Sequence, residues 1–176
     1  MQRLELVEPV MRRETFDRLR ELVYRRSGIT LGEGKESLVR ARVSKRMRTL
    51  GLHDYAAYLA RVEEDLAGNE LIELLDVIST NVTSFFREDQ HFRLLSTLLA
   101  RRLDEGQRRF RLWSAACSTG EEPYTMAITA REASGAEAVD LRILATDLST
   151  KVLGRAIEGI YAPKDVAPVP PRLLER

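Results

Sequence analysis

Arg109-Phe-Arg-Leu-Trp-Ser-Ala115 is followed by Ala116-Cys-Ser-Thr-Gly120, then by Glu121-Glu-Pro-Tyr124, and the reading of this run decides the fold. The first segment alternates apolar and polar residues and reads as a short strand. Ala116 to Gly120 is a loop of small residues. Glu121 opens a helix that carries Tyr124, Ala127, Ile128 and Arg131 and stops at Gly135. Asp140-Leu-Arg-Ile-Leu-Ala-Thr-Asp147 reads as a second strand ending in a carboxylate. Strand, tight loop, helix, strand and acid is the layout of a nucleotide-binding βαβ unit. Small residues let backbone N–H groups approach a ligand, and the helix N-terminus adds donors.

The loop lacks the three glycines of a dinucleotide fingerprint; it has only Gly120. Glu121 and Glu122 stand where a pyrophosphate would sit and would repel it. Acids in a first turn also suit the helix dipole and need no ligand to explain them. A ligand presenting a cation beside the loop fits better than a dinucleotide. S-adenosylmethionine has a ribose diol, an amino group and a sulfonium, and no phosphate. Asp147 is then placed to accept hydrogen bonds from the diol.

The bulk numbers set limits. The chain has 176 residues, 44% of them apolar and 31% charged, with a net charge of +1. That leaves room for one domain or two small ones and gives no general ground for nucleic-acid binding. No apolar run approaches 18 residues, and Met1-Gln-Arg-Leu-Glu5 has no signal-peptide core, so no membrane insertion is expected. The single cysteine, Cys117, forms no internal disulfide and fits a reducing, cytoplasmic setting. With His53 and His91 as the only histidines, no metal site is expected.

Four amphipathic helices precede residue 79. The first is capped by Thr15, carries Phe16, Leu19, Leu22 and Val23, and ends at Gly28. Ile29-Thr-Leu31 is an extended link. The second spans about Lys35 to Leu50, with an apolar stripe of Val39, Val43, Met47 and Leu50 and a stop at Gly51. It carries Arg40, Arg42, Lys45, Arg46 and Arg48 and no acid between them. At 100° per residue Lys45 and Arg48 face away from the stripe, Arg40 and Arg42 flank it, and Arg46 falls almost inside it. A solvated face with Arg46 snorkelling is one reading; docking of an acidic partner is the other. Asp54 starts a third helix with Tyr55, Tyr58, Leu59 and Val62, and after Gly68-Asn69 a fourth carries Leu71, Leu74, Leu75 and Ile78. Together they predict a small bundle.

Ser79-Thr-Asn-Val-Thr-Ser-Phe-Phe-Arg87 has no helical stripe. Asn81 and Thr83 alternate with Val82, so both point one way in an extended chain, with Phe85-Phe86 as an anchor. That suits a segment lying across a pocket; a plain linker is the alternative. A helix from about Asp89 to Leu103 follows, burying Phe92, Leu95, Leu99 and Leu103, and Arg101 to Gln107 is a loop. Ser149 caps a helix with Val152, Leu153, Ala156 and Ile157, and Gly159-Ile-Tyr161 ends it. Pro163, Pro168, Pro170 and Pro171 mark an irregular segment beyond.

These segments resemble a known family. Ser27-Gly-Ile-Thr-Leu31, Thr80-Asn-Val-Thr-Ser-Phe-Phe-Arg-Glu88, Trp113-Ser-Ala-Ala-Cys-Ser-Thr-Gly-Glu-Glu-Pro-Tyr124, Ala145-Thr-Asp147 and Gly159-Ile-Tyr161 look like the chemotaxis receptor methyltransferases, the CheR family. The resemblance runs from about Phe16 to Tyr161, and the second and third stretches are each highly specific. It implies an α+β, two-part chain: an all-α domain over 1–79, a linker over 80–89 that contributes to the cofactor site, and a partial Rossmann-like S-adenosylmethionine-dependent methyltransferase domain over 90–176. It implies a cytoplasmic monomer that methylates glutamates on the cytoplasmic helices of chemoreceptors, releasing S-adenosylhomocysteine. Asn81, Thr83 and Arg87 are implied to contact the cofactor. Either Glu121 or Glu122, which the resemblance does not settle, takes its amino group, and Asp147 its ribose. The basic helix matches the face that meets the receptor.

The chemistry is consistent with that. A methyl sulfonium is electrophilic and a carboxylate is ionised at pH 7, so no general base is needed and no catalytic residue is expected. The family continues with further strands, an adenine loop and a receptor-recognising hairpin. Two strands are marginal alone, so the expectation is a truncated product or fragment, with strand side chains partly exposed along one edge. Two other functions compete: a dinucleotide-dependent oxidoreductase, and a non-enzymatic module that docks acidic receptor helices.

Overall fold

The computed structural model describes residues 10–174. The chain divides into two compact units, Met1–Ser79 and Thr80–Arg176. Among the described residues no helix is long and apolar enough to cross a membrane.

The first unit is all helical. Helix α1 (Arg13–Ser27) buries Phe16, Leu19 and Val23, and Gly28, at φ 72°, ends it by donating its N–H to the Tyr24 carbonyl. Thr15 does not cap it: the helix starts two residues earlier, with Arg12 as an N-cap that offers no side-chain hydrogen bond. A single 3-10 turn, Glu33–Lys35, leads into α2 (Glu36–Thr49), which buries Val39, Val43 and Met47. Helix α3 (Tyr55–Glu64) is capped by Asp54, whose carboxylate accepts the Ala57 N–H. Helix α4 (Asn69–Ile78) follows Gly68, and the Asp65 carboxylate accepts the Glu70 N–H at 2.7 Å at its start. One cluster, with Phe16, Val43, Met47, Tyr58, Leu59 and Leu74 at its heart, holds the four helices together. Each such side chain contributes about 1.5–3 kcal/mol by leaving water.

The second unit is α/β. Helix α5 (Gln90–Asp104) runs close to the expected end at Leu103, so Arg101 to Asp104 are helical where the charge pattern also suggests a loop; the chain turns at Gly106. Strand β1 (Arg109–Ala115), helix α6 (Glu121–Ser134) and strand β2 (Asp140–Thr146) form the expected crossover. The strands pair in parallel from Arg109↔Asp140 to Ala115↔Thr146. Leu99 and Leu103 of α5 and Ala130 of α6 cluster with Phe110, with Leu95 and Leu141 against them. The side chains that alternate with these on the strands point away, and Trp113 and Leu144 are 64% and 59% exposed. The sheet has two strands among the described residues. Helix α7 (Thr150–Glu158) is capped by the Ser149 hydroxyl and ends at Gly159. The proline-rich segment is irregular up to a last short helix, α8 (Pro171–Leu174), which the sequence pattern did not reveal.

Candidate functional site

The loop after β1 is drawn tight by the end of β2. The N–H groups of Ala116 and Cys117 both donate to the Thr146 carbonyl at 2.9 Å. Asp147, one residue past β2, accepts the Ser118 N–H on one oxygen at 2.8 Å and the Ser149 N–H on the other at 2.9 Å. The acid at the strand end thus also braces the loop it faces. To follow this path Ala116 adopts φ 129° and Ser118 φ 48°, and Gly120 turns at φ 101° into α6. Left-handed backbone costs a residue with a Cβ on the order of 1–3 kcal/mol, and such strain gathers where a site requires it. Among the described residues only two other non-glycines share it, Phe86 and Glu88, and both lie in the 80–89 segment.

That segment is a strap laid on the loop and on α6. The Ser118 hydroxyl donates to the Asn81 carbonyl at 3.3 Å, and the Phe86 N–H donates to Thr125 Oγ1 at 3.2 Å. Thr125, fully buried on α6, in turn donates to the Glu121 carbonyl. Phe85 is buried while Val82 is 70% exposed, and Asn81 and Thr83 sit half-buried on either side of Val82, as alternation requires. Arg87 folds back and donates to the Val82 carbonyl at 2.6 Å, tightening the strap.

The two glutamates of the α6 first turn diverge. Glu121 is 8% exposed and accepts the Thr119 hydroxyl at 2.6 Å. Glu122 is exposed and accepts the hydroxyl of buried Ser114, at the end of β1, at 2.6 Å. Cys117, in the same loop, is fully buried, and its thiol pKa is raised by burial, then by the charge of Asp147 and, less, of Glu122. Asp147 and Glu122 thus both bear electrostatically on the loop, and negative charge there favours a cation. Chemically the arrangement offers a diol acceptor, a cation acceptor and a strap of polar side chains, which fits a nucleoside that carries positive charge. Sequence reasoning missed Thr125, which meets the strap at Phe86, Tyr161, which meets the loop at Thr119 and the strap at Phe85, and Tyr124, which packs against Tyr161; their partners lie far along the chain.

In the first unit the five basic residues of α2 separate into two groups. Arg40, Lys45 and Arg48 are exposed. Arg42 donates to the Ile78 and Ser79 carbonyls at 2.6 and 3.0 Å, closing the C-terminus of α4. Arg46 does not snorkel. It forks onto Glu70 with Nε at 2.9 Å and Nη2 at 2.8 Å, and its third nitrogen is 3.3 Å from Glu73. The Tyr58 hydroxyl completes the set on Glu70 at 3.0 Å. Hydrogen bonding to Glu70 raises the Arg46 pKa, and burial followed by the Glu70 charge raises that of Tyr58. The acid that Arg46 uses lies 24 residues away, on α4, where α2 alone gives no sign of it.

Comparison with known proteins agrees with this architecture. Residues 14–79 match a family model described as the CheR methyltransferase all-alpha domain, and residues 81–176 match one described as its SAM binding domain. The chain is 42% identical over 164 residues to chemotaxis protein methyltransferase 2 of Pseudomonas aeruginosa, covering 93% of itself and 58% of that protein. It is 39% identical to the chemotaxis protein methyltransferase of Salmonella typhimurium, with 92% of itself and 54% of the relative covered. For the Escherichia coli protein the values are 38%, 92% and 55%. The chain thus spans little more than half the length of these relatives.

Proposed function

The chain belongs to the CheR methyltransferase family, and on that premise we propose that its second unit holds S-adenosylmethionine against the loop 116–120 for methyl transfer to glutamate carboxylates of chemoreceptors. The observation that carries the reading is the Asp147 carboxylate at the end of β2, locked to the Ser118 N–H at 2.8 Å and fixed beside the strained loop. A carboxylate has about four acceptor positions, so two backbone N–H groups leave capacity for both ribose hydroxyls. Glu122, exposed on the first turn of α6, takes the amino group; Glu121 is buried there. Asn81, Thr83 and Arg87 of the strap close over the ligand.

S-adenosylmethionine supplies an electrophilic methyl on a sulfonium. When bound it would give that methyl to a receptor glutamate oxygen, the carbon–sulfur electron pair staying with sulfur. An anion and a cation become an ester and a thioether, so charge disappears along the reaction. No proton moves, and the protein's task is orientation. Asp147 and Glu122 fix the two ends of the cofactor rather than touch the reacting atoms. The exposed cations Arg40, Lys45 and Arg48 on α2 face the acidic receptor helix, with Arg42 and Arg46 holding that face in place through α4.

The test is transfer of labelled methyl from S-adenosylmethionine to a chemoreceptor cytoplasmic fragment. Label released as methanol by mild base marks a glutamyl ester and is expected. Cofactor binding without any base-labile product would reduce the chain to a binding module.

A further inference from the structure

Tyr161 has no part in the reading above, yet it touches both walls of the cofactor loop. Its hydroxyl donates to the Thr119 carbonyl at 2.7 Å. The same peptide is held at its other end, where the Gly120 N–H donates to the Cys117 carbonyl at 2.9 Å. A peptide beside a glycine at φ 101° is one that can flip; pinned at both ends, it cannot. The Tyr161 ring meets Phe85 of the strap edge-on, centroids 4.9 Å apart and planes at 81°. It meets Tyr124 of α6 in the same way at 5.8 Å.

The corner is reciprocal. A Cβ on Gly120 would lie 2.5 Å from the Tyr161 hydroxyl and 3.1 Å from the Ala156 Cα. A Cβ on Gly159, itself at φ 61°, would lie 2.5 Å from the Tyr124 hydroxyl, which donates to the Ala156 carbonyl at 3.1 Å. Tyr161 therefore stands over Gly120, at the start of the helix that carries Tyr124, and Tyr124 stands over Gly159, at the end of α7 two residues before Tyr161. Ordinary packing explains two aromatic rings here. It does not explain why the Tyr161 hydroxyl is directed onto the loop peptide that precedes Gly120, at φ 101°. The polar ties between strap and loop or helix are long, at 3.2 and 3.3 Å, so the Phe85–Tyr161 contact is the firmer join.

We propose that Tyr161 is the positioning residue of this site: its hydroxyl fixes the Thr119–Gly120 peptide while its ring anchors Phe85, setting the loop 116–120 and the strap 81–87 in one register. The inference rests on the reading of that loop as the S-adenosylmethionine site. A site whose two walls are ordered before binding loses less entropy when ligand arrives. The two functions of the side chain are separable, since phenylalanine keeps the ring and removes the hydroxyl.

The test uses the full chain with Tyr161→Phe and Phe85→Leu, read by amide hydrogen exchange and by calorimetric titration with S-adenosylhomocysteine. Tyr161→Phe should speed exchange at Gly120 and Ser118 and leave the amides of β1 and β2 unchanged. Phe85→Leu should speed exchange at Phe86 and Arg87. Each should weaken S-adenosylhomocysteine by about ten-fold, the effect of one hydrogen bond or ring contact. Uniform loss of protection across both strands in Tyr161→Phe marks a general stability role and overturns the proposal. So does unchanged exchange at Gly120. If Tyr161→Phe does not fold, Phe85→Leu decides by the same standard, strap amides against strand amides. Failure of the unsubstituted chain to bind S-adenosylhomocysteine would overturn the ligand reading, and the exchange measurements would still decide the positioning role.

Discussion

Asp147 accepts the backbone N–H of Ser118 at 2.8 Å, so the acid at the end of β2 and the loop after β1 form one unit before any ligand arrives. The loop needs that brace because Ser118 and Ala116 sit at positive φ. The carboxylate that braces the loop is the one proposed above to accept the ribose hydroxyls.

Asp147→Ala is accordingly expected to weaken S-adenosylhomocysteine binding at least ten-fold, since each charged hydrogen bond contributes roughly 1.5–3 kcal/mol. Loss of the Ser118 and Ser149 contacts adds to that effect. Unchanged calorimetric affinity would remove Asp147 from the site.

The two glutamates should separate. Glu122→Gln removes an exposed charge from the first turn of α6 and is expected to weaken binding by about ten-fold, one charged contact's worth. Glu121→Gln keeps an acceptor for the Thr119 hydroxyl at 2.6 Å and should leave affinity nearly intact. The reverse order would reassign the amino-group acceptor to Glu121.

How far the sequence could reach is clear from these same residues. Both strands, the loop and α6 were legible because their signals are local: alternation, a run of small residues, and acids opening a helix at Gly120. The Asp54 and Ser149 caps were legible for the same reason. Thr15 misled because a capping residue inside the first turn looks the same in sequence as one at the boundary. Arg101, Arg102 and Asp104 suggest a loop because they are charged, yet they are the exposed residues of the last turn of α5, whose Leu103 is buried. The Tyr124 and Tyr161 corner could not be read, because it depends on which two glycines meet which two rings. Arg46 could not be assigned from α2 alone, because its partner Glu70 belongs to another helix.

Arg46 tests that last point through stability. Arg46→Met leaves Glu70, whose side chain is 7% exposed, with the Tyr58 hydroxyl and no bidentate cation. Breaking one side of a buried pair costs about 3–5 kcal/mol, and the 20% exposure of the Arg46 side chain places the expectation at the low end, visible as a shifted urea midpoint. Replacing Glu70 by Met as well should recover most of it. An unchanged midpoint in the single variant would show that the pair is loose.

Lys45 and Arg48 test the face that remains. Both are exposed and lie off the buried stripe of α2, so reversing both to Glu should leave the fold intact. Isolated exposed cations add little to stability, and complementary potential acts mainly on association. The double reversal should slow binding to a chemoreceptor cytoplasmic fragment at low salt, and the difference should shrink when the Debye length falls to about 3 Å at 1 M. Equal association rates at low salt would make this only a solvated face.

The most direct test of the whole account is a pair of calorimetric titrations of this chain, one with S-adenosylhomocysteine and one with NAD. Saturable one-to-one binding of S-adenosylhomocysteine, lost on Asp147→Ala, with no heat from NAD, is the expected result. Binding of NAD in place of S-adenosylhomocysteine, or of neither, would contradict it.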